Sequence, residues 1–258
     1  MIEAAVIEAA FAGCDTIWII CNDDIAPIVR YRVGDYIQDP IHFYNKFDAL
    51  PTHRRKRIPI YWVPIHPKDR DRRDCLSWSV LTGALSCLKI SSKLSKWLIP
   101  DKYYVSFPYG ITDPRTLQKV RTKIRNKNNF YMVSEAKTVQ DNIYTSFTFG
   151  KEEFIIYRRN VRKGTGKYTT EVVDKRGIPR SKLPIEERWS ARFFEPKDVF
   201  VGVEIAEGYQ HEVAQFYNLE SWASYREYMA SDLAKSTRRP TKELFAYREF
   251  NRVGQDRD

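Results

Sequence analysis

Three arginines, Arg70, Arg72 and Arg73, stand shortly before Ser77 in the stretch KDRDRRDCLS (68–77). Guanidinium groups donate paired hydrogen bonds to phosphate oxygens, so arginines just ahead of a helix suit an anionic ligand. Apolar periodicity predicts such a helix from Ser77 to about Lys89. Because aspartates alternate with the arginines, a solvated surface loop is an equally good interpretation of the same stretch.

Aspartates follow two of the predicted strands. Asp23 and Asp24 come after the apolar run TIWIIC (16–21), and Asp113 comes a few residues after KYYVSF (102–107). Ligands of open α/β sheets bind at the carboxyl ends of the strands, and Mg²⁺ prefers carboxylate oxygens. Each aspartate can equally cap the helix that comes next. Metal binding and helix capping therefore both remain open.

The cysteines and histidines form no recognisable metal pattern. There is no C-x-x-C pair and no histidine at a ligand spacing from a cysteine; the four cysteines are Cys14, Cys21, Cys75 and Cys87. We expect reduced, buried thiols rather than zinc ligands or disulfides. His66 and His211 have no evident partner, and we expect core or surface histidines rather than general bases.

Strands and helices alternate along the first half of the chain. Strands are predicted over 16–21, 58–65 and 102–107, and helices over 2–12, about 25–37, 77–89 and 113–126. Gly13 is expected to end the first helix. Repeated strand, polar loop and helix units indicate an α/β fold with a parallel sheet.

The composition changes after about residue 128, where β-forming residues predict an added antiparallel layer. Its predicted strands are FYMVS (130–134), TSFTFG (145–150), EFIIYRR (153–159), KYTTEVVD (167–174) and VFVGVEIA (199–206). A closing helix is predicted over 219–230. We therefore expect one α/β domain over 1–230 and a polar, charged C-terminal arm over 231–258.

The 258 residues include 43 Lys+Arg and 33 Asp+Glu, a formal net charge of +10. A hydrophobic content of 43%, with 14% aromatic residues, excludes a disordered chain. No apolar run approaches the roughly 20 residues of a membrane span, and the first residues lack the basic region of a secretory signal. We expect a cytoplasmic protein. Its excess charge falls largely in loops at the carboxyl side of the predicted sheet, which favours a small-anion site, although a polyanion also fits.

Several segments, in order, resemble the sugar-nucleotide nucleotidyltransferases, which join a nucleoside triphosphate to a sugar 1-phosphate. The segments are 1–3, 12–17, 33–36, 76–84, 171–181, 201–205 and 218–225. The resemblance implies a Rossmann-like three-layer αβα fold with a mixed, mainly parallel sheet. It implies nucleotide contacts at the start of the helix that begins near Ser77. The family has a glycine at the position of Ser77. Gly202 stands in a segment that resembles a strand of the family pattern. Lys175 stands where the family's lysine contacts the sugar phosphate; an ordinary turn lysine is the alternative.

The chain also departs from the family pattern. The glycine-rich "GGxGTRLxPLT" loop that holds the triphosphate would lie before Met1. Tyr109 stands at or near the first of two aspartates that hold Mg²⁺ in the family, and Asn218 stands at the second. Tyrosine and asparagine are poor magnesium ligands, although Asp113 could contribute from the loop. If the Mg²⁺ of the family pattern binds at all, we expect Asp113 and Asn218 to hold it, with Asp23 or Asp24 assisting.

The leading hypothesis is a nucleotidyltransferase-like protein that binds a nucleotide or nucleotide sugar. The reaction that the resemblance implies is transfer of a nucleoside monophosphate from the triphosphate to a sugar 1-phosphate, with release of pyrophosphate. Without the phosphate loop and both metal aspartates we expect weak or no turnover. The alternative is a non-catalytic module that binds nucleic acid or protein through basic loops on an α/β scaffold.

Overall fold

The computed structural model describes residues 1–41, 56–165, 177–179, 182–184, 190–237 and 244–245. The elements in chain order are α1 (Ile2–Ala12), β1 (Ile17–Cys21), α2 (Ala26–Val33), β2 (Tyr36–Gln38), β3 (Arg57–Pro64), α3 (Pro67–Arg73), α4 (Leu76–Leu94), β4 (Lys102–Val105), β5 (Gly110–Thr112), α5 (Arg115–Arg125), β6 (Tyr131–Val133), β7 (Phe147–Gly150), α6 (Lys151–Thr165), α7 (Pro196–Val199), β8 (Gln210–Glu212), β9 (Phe216–Asn218), α8 (Trp222–Ala230) and α9 (Asp232–Thr237). The predicted α/β class is confirmed. Gly13 ends α1 with φ of 92°, a left-handed conformation that glycine adopts without strain.

The strands form two sheets and one separate pair. The first sheet has the order β1-β3-β2, with β1 parallel to β3 and β2 antiparallel to β3. The second has the order β4-β7-β6-β8, in which β7 is antiparallel to both neighbours and β6 is parallel to β8. The pair β5-β9 is antiparallel. The expectation of a mainly parallel sheet is therefore wrong for the described strands, because β4 pairs with β7 and not with β1 or β3.

The second half of the chain contains more helix than the sequence predicts. The segment 153–159 lies within α6 and not in a strand, since Phe154, Tyr157 and Val161 are buried at helical spacing. The predicted strand 199–206 is not formed, since Val199 ends the short helix α7 and residues 200–206 are irregular. The segment 167–174 lies outside the described residues. The predicted arm begins with a helix, α9, whose Leu233 and Ala234 are buried. Strands β8 and β9 are not among the predicted elements.

Helix α1 connects the two sheets. Its Val6 and Ala10 pack with the apolar face of the first sheet, while Phe11 packs with α5 and β6. Arg121 of α5 donates hydrogen bonds to the carbonyl oxygens of Phe11 at 2.6 Å and Ala10 at 2.7 Å, which satisfies the end of α1. No helix in the described part of the chain combines the length and hydropathy needed to cross a bilayer.

Candidate functional site

The carboxyl ends of the two parallel strands lie next to α3 and α4. Asn22 and Asp23 follow β1, and β3 leads through His66 directly into α3. Helix α4 packs closely on β1, because a Cβ built on Gly83 would lie only 2.4 Å from the Cδ1 atom of Ile20. The absence of a side chain at Gly83 therefore sets the spacing between the helix and the strand.

The arginine stretch forms helix α3 where a loop was expected. His66 caps it, accepting a hydrogen bond at Nδ1 from the Lys68 amide at 3.2 Å, and proline stands at its first position. Arg70 reaches back to the end of β1, where its Nη2 lies 2.8 Å from Oδ2 of Asp23. Helix α3 is thus held to the strand end by an ion pair that joins residues far apart in sequence.

Arg192 and Trp78 complete the surroundings of α3. Arg192 lies in a 3₁₀ turn (Ser190–Phe193), donates to the carbonyl oxygen of Arg70 and lies 3.5 Å from the carboxylate of Asp74. The guanidinium carbon of Arg73 lies 4.6 Å from the centre of the Trp78 ring, a cation–π distance. These contacts join α3, the start of α4 and the turn around residue 192.

Hydrogen-bond donors without acceptors concentrate in one stretch of the chain, from α3 into α4. Of 13 buried side-chain polar atoms that lack a partner in the described part of the chain, six lie on Asn22 and on residues 70–82. Five of the six can donate: Arg70 Nε, Arg73 Nε, Ser77 Oγ, Trp78 Nε1 and Thr82 Oγ1. We call these five residues the donor cluster. Because an unsatisfied buried group costs about 1–3 kcal/mol, each of these donors would gain free energy by pairing with an acceptor oxygen.

The donor cluster is not a strongly positive surface. An aspartate balances the charge of each of three arginines. Arg70 lies 2.8 Å from Asp23, Arg73 lies 3.6 Å from Asp69, and Arg192 lies 3.5 Å from Asp74. Arg72 is exposed on the same helix. The expected basic rim around a small-anion site is therefore largely neutralised, and the donors rather than the net charge distinguish the site.

The two residues expected to hold Mg²⁺ do not meet. The Asp113 Oδ1 atom accepts a hydrogen bond from the Arg115 amide at 3.0 Å, at the start of α5. The Asn218 Oδ1 atom accepts one from the Tyr144 amide at 3.3 Å, and Asn218 pairs with Gly110 rather than with Asp113. Within the described ranges, no group of three or more His, Cys, Asp or Glu residues could hold a metal. These residues therefore do not fit a magnesium site.

Tyr109 and Gly202, also expected at the site, make their contacts in other parts of the fold. Tyr109 is half exposed, its carbonyl oxygen accepts from the Leu219 amide at 2.7 Å, and its ring packs against Tyr144. Gly202 adopts φ of 83° in an exposed turn near Ile156. Lys175 lies outside the described residues. The structure thus brings together Ser77, Arg70 and Arg73 from the expected set.

The cysteines are free thiols, as expected, and two of them are only partly buried. Burial raises the pKa of Cys14 to about 12 and that of Cys75 to about 11, so both stay protonated at neutral pH. Burial, and then the charge of Lys123, lowers the pKa of His211, which stacks against Phe130. The nearby carboxylates of Asp15 and Asp74 raise the pKa of Cys14 and Cys75 further, so neither thiol is activated as a nucleophile.

An open cavity of about 600 Å³ lies elsewhere, between the turn at Glu135 and strands β8 and β9. Glu135, Glu212 and Glu227 line it. Three carboxylates repel a phosphate group, so this cavity is a poor place for an anionic ligand.

Arg192, Trp78 and Thr82 are site residues that the sequence does not reveal. Arg192 reaches the cluster from 122 positions along the chain, and Trp78 and Thr82 read as packing positions of an amphipathic helix. No protein-family model, curated protein or solved structure matches this chain. The functional argument therefore rests on the donor cluster and its position in the fold.

Proposed function

We propose that the donor cluster binds a nucleotide or a nucleotide sugar. The observation that carries the proposal is the set of five buried donors without acceptors on α3 and the first two turns of α4, the two helices that follow β3 in the chain. Phosphate groups, sugar hydroxyls and base carbonyls supply many acceptor oxygens in one molecule. The carboxyl edge of parallel strands is also where ligands of α/β proteins bind.

Helix α4 adds a favourable electrostatic term. It is 19 residues long, and Cys75 at its N-cap makes no side-chain hydrogen bond to the first turn. The partial positive charge at such a helix end attracts an anion. Ser77, in this first turn, is fully buried with an unpartnered hydroxyl. Because Asp23 is well exposed, Arg70 can exchange that carboxylate for a phosphate oxygen at little cost.

The finer proposal of a nucleotidyltransferase-like fold rests on the order of the segments that resemble the family. The parallel pairing of β1 with β3, and the close packing of α4 on β1, are compatible with it.

The proposal concerns binding. Transfer of a nucleotidyl group and a requirement for Mg²⁺ stay predictions, since the described residues gather no carboxylate set for the ion. Chemistry of this kind depends on positioned charges rather than on a covalent nucleophile. The donors named here would orient the ligand and hold its oxygens.

Ligand binding is expected to raise the melting temperature. At a ligand concentration 100 times the Kd, the stabilisation is about 2.7 kcal/mol, which shifts the Tm of a protein of this size by about 5–10 °C. The measurement is a thermal-shift titration with nucleoside triphosphates, nucleotide sugars and sugar phosphates, each with and without MgCl₂. No shift with any of them would overturn the proposal.

Ser77→Ala separates binding from folding. Because the Ser77 hydroxyl has no partner in the described part of the chain, its removal should leave the free protein equally or more stable, yet raise the ligand Kd about ten-fold. Ser79→Ala is the matched control, since the Ser79 hydroxyl bonds only locally to the Cys75 carbonyl at 3.4 Å. Equal ligand affinities of the two variants would contradict a role for Ser77.

The basic residues of α5 favour a second candidate function, nucleic-acid binding. Residues 114–134 contain no acidic residue and six basic ones: Arg115, Lys119, Arg121, Lys123, Arg125 and Lys127. Arg115, Lys119 and Lys123 recur every four residues on the exposed face of α5, and none forms an ion pair with a described carboxylate. Such a row matches the closely spaced phosphates of a duplex.

Binding of duplex DNA by this face should depend steeply on salt. Three phosphate contacts predict a slope of about −2.7 in a plot of log K against log salt, and Lys119→Gln should reduce it by about 0.9. Fluorescence anisotropy with a labelled duplex measures both. Lys197→Gln is the control, because Lys197 is already paired with Glu195 at 2.6 Å. If Lys119→Gln leaves the slope unchanged, the exposed face of α5 does not bind the duplex.

A further inference from the structure

An exposed apolar surface lies at the end of α4. Trp97 is 96% exposed, Leu94 72% and Leu98 58%. Together with the less exposed Ile90 and Ile99, these residues form what we call the Trp97 patch. Contiguous apolar surface of this kind marks an interaction site in most soluble proteins.

The Trp97 patch is rigidly presented. The Ser95 hydroxyl accepts a hydrogen bond from the Trp97 amide at 3.3 Å, and the Leu98 amide bonds to the Ser95 carbonyl at 3.1 Å. The Ser95 amide in turn bonds to the Ser91 carbonyl at 2.9 Å, so the turn continues the helix. Trp97 is therefore held outward by an ordered 3₁₀ turn (Lys96–Leu98).

The charged residues that flank the Trp97 patch in the sequence are mostly basic. Lys89, Lys93 and Lys96 are exposed beside it, and no acidic residue occurs from 75 to 100. None of the three lysines forms an ion pair with a carboxylate of the described residues. The surface is therefore apolar at its centre and cationic at its edge.

More positive charge lies on the same side. Lys102, four residues beyond Leu98, donates hydrogen bonds to the Ile124 and Asn126 carbonyls at the end of α5, at 3.3 and 2.7 Å. This contact joins the residue that begins β4, shortly after the Trp97 patch in the chain, to the end of the basic helix α5. Two acids lie on that side as well: the exposed Asp101, and Glu153, whose charge acts on Lys102.

We propose that the Trp97 patch docks the protein onto the surface of an anionic lipid bilayer. Tryptophan is favoured at the boundary between acyl chains and headgroups, and leucine and isoleucine add buried apolar area. The lysine side chains can lay their apolar stems along the surface and reach the lipid phosphates.

Charge favours a membrane over a second copy of this chain. In a two-fold symmetric contact, the same patch faces itself, so the lysines of each copy would face the lysines of the other. An anionic surface instead neutralises all of them. The donor cluster at the start of α4 is about 28 Å away along a helix of 19 residues. Docking would therefore leave the proposed ligand site accessible, and it does not depend on that site.

Co-sedimentation with vesicles tests the docking. We expect binding to phosphatidylcholine vesicles that contain phosphatidylglycerol, weak binding to phosphatidylcholine alone, and release by salt. Trp97→Ala should lower the partition coefficient at least about ten-fold, as loss of a buried aromatic side chain does. Lys93→Gln should lower it about five-fold. Trp222→Ala is the matched control, because Trp222 is an exposed tryptophan too, at 72%, but lies on α8.

Three results would overturn the docking. One is the absence of binding to the anionic vesicles, and another is an equal loss in the Trp97 and Trp222 variants. The third is a lipid-free dimer, seen by light scattering, that Trp97→Ala dissociates; it would assign the patch to a second copy. All substitutions are at exposed positions, and circular dichroism should confirm that each variant stays folded.

Discussion

Replacing Glu8 by leucine is expected to destabilise the protein by about 2–5 kcal/mol, because two buried hydroxyl groups would lose their acceptor. Glu8 lies on α1, only 5% exposed. Its Oε1 atom accepts a hydrogen bond from the Tyr104 hydroxyl at 2.8 Å, and the Ser146 hydroxyl donates to the same oxygen. The carboxyl group thus joins α1 to β4 and to the residue before β7. Urea denaturation at pH 7 measures the loss.

Glu8→Gln makes a sharper test, since it keeps an acceptor oxygen and removes the charge. Burial raises the pKa of Glu8, despite the hydrogen bonds that oppose the shift. The folded state therefore holds this proton more tightly than the unfolded state does. The protonated Glu8 side chain makes its full contribution to the free energy of unfolding below the ordinary carboxyl pKa of about 4.3. That contribution is lost as the pH rises through the raised pKa of the folded state.

We therefore expect Glu8→Gln to match the parent protein at acidic pH and to exceed its stability at neutral pH. Thermal unfolding between pH 4 and pH 8 measures the difference. The exposed Glu212 on β8 is the control position, and Glu212→Gln shows what removal of a surface carboxylate does to the same measurement. A Glu8→Gln variant that is less stable than the parent at every pH would show that the charged carboxylate is required.

Local periodicity accounts for the part of the fold that the sequence predicts. α1, β1, β3, α4 and α5 follow from apolar spacing and from the residues that end each element. The partners of Glu8 could not be predicted, because Tyr104 and Ser146 lie 96 and 138 positions away. The sheet to which β4 belongs likewise depends on long-range pairing that no local pattern encodes.

The misassigned segment at 153–159 has a different cause. Its run of Phe, Ile and Tyr suits a strand by propensity, but β propensity depends on the surroundings. The burial of Tyr157 and Val161 against Phe200 and neighbouring aromatic residues favours a helix. Packing against distant residues therefore overrode the local preference.

The candidate site was predicted only in part. Arg70, Arg73 and Ser77 are close in sequence, so one local pattern identified them together. The pairing of Arg70 with Asp23 and the approach of Arg192 need the folded chain, and they cancel the positive charge that the composition suggested. Exposed basic side chains that form no ion pair with a described carboxylate lie on α5 and beside the Trp97 patch.

Gly110→Ala is expected to be the most damaging single-methyl change, with a loss of at least about 3 kcal/mol. A Cβ atom at Gly110 would lie 2.1 Å from the carbonyl oxygen of Tyr144. The obstacle is backbone, and the Tyr144 amide is itself held by Asn218 at 3.3 Å, so relief requires separating β5 from β9. Urea denaturation measures the loss.

Gly150→Ala is the control. The built Cβ at Gly150 lies 3.2 Å from the Glu153 side chain, and a side chain can move aside. Equal losses in the two variants would mean that the chain around Tyr144 yields, and that the close approach of Gly110 does not fix the β5-β9 pair.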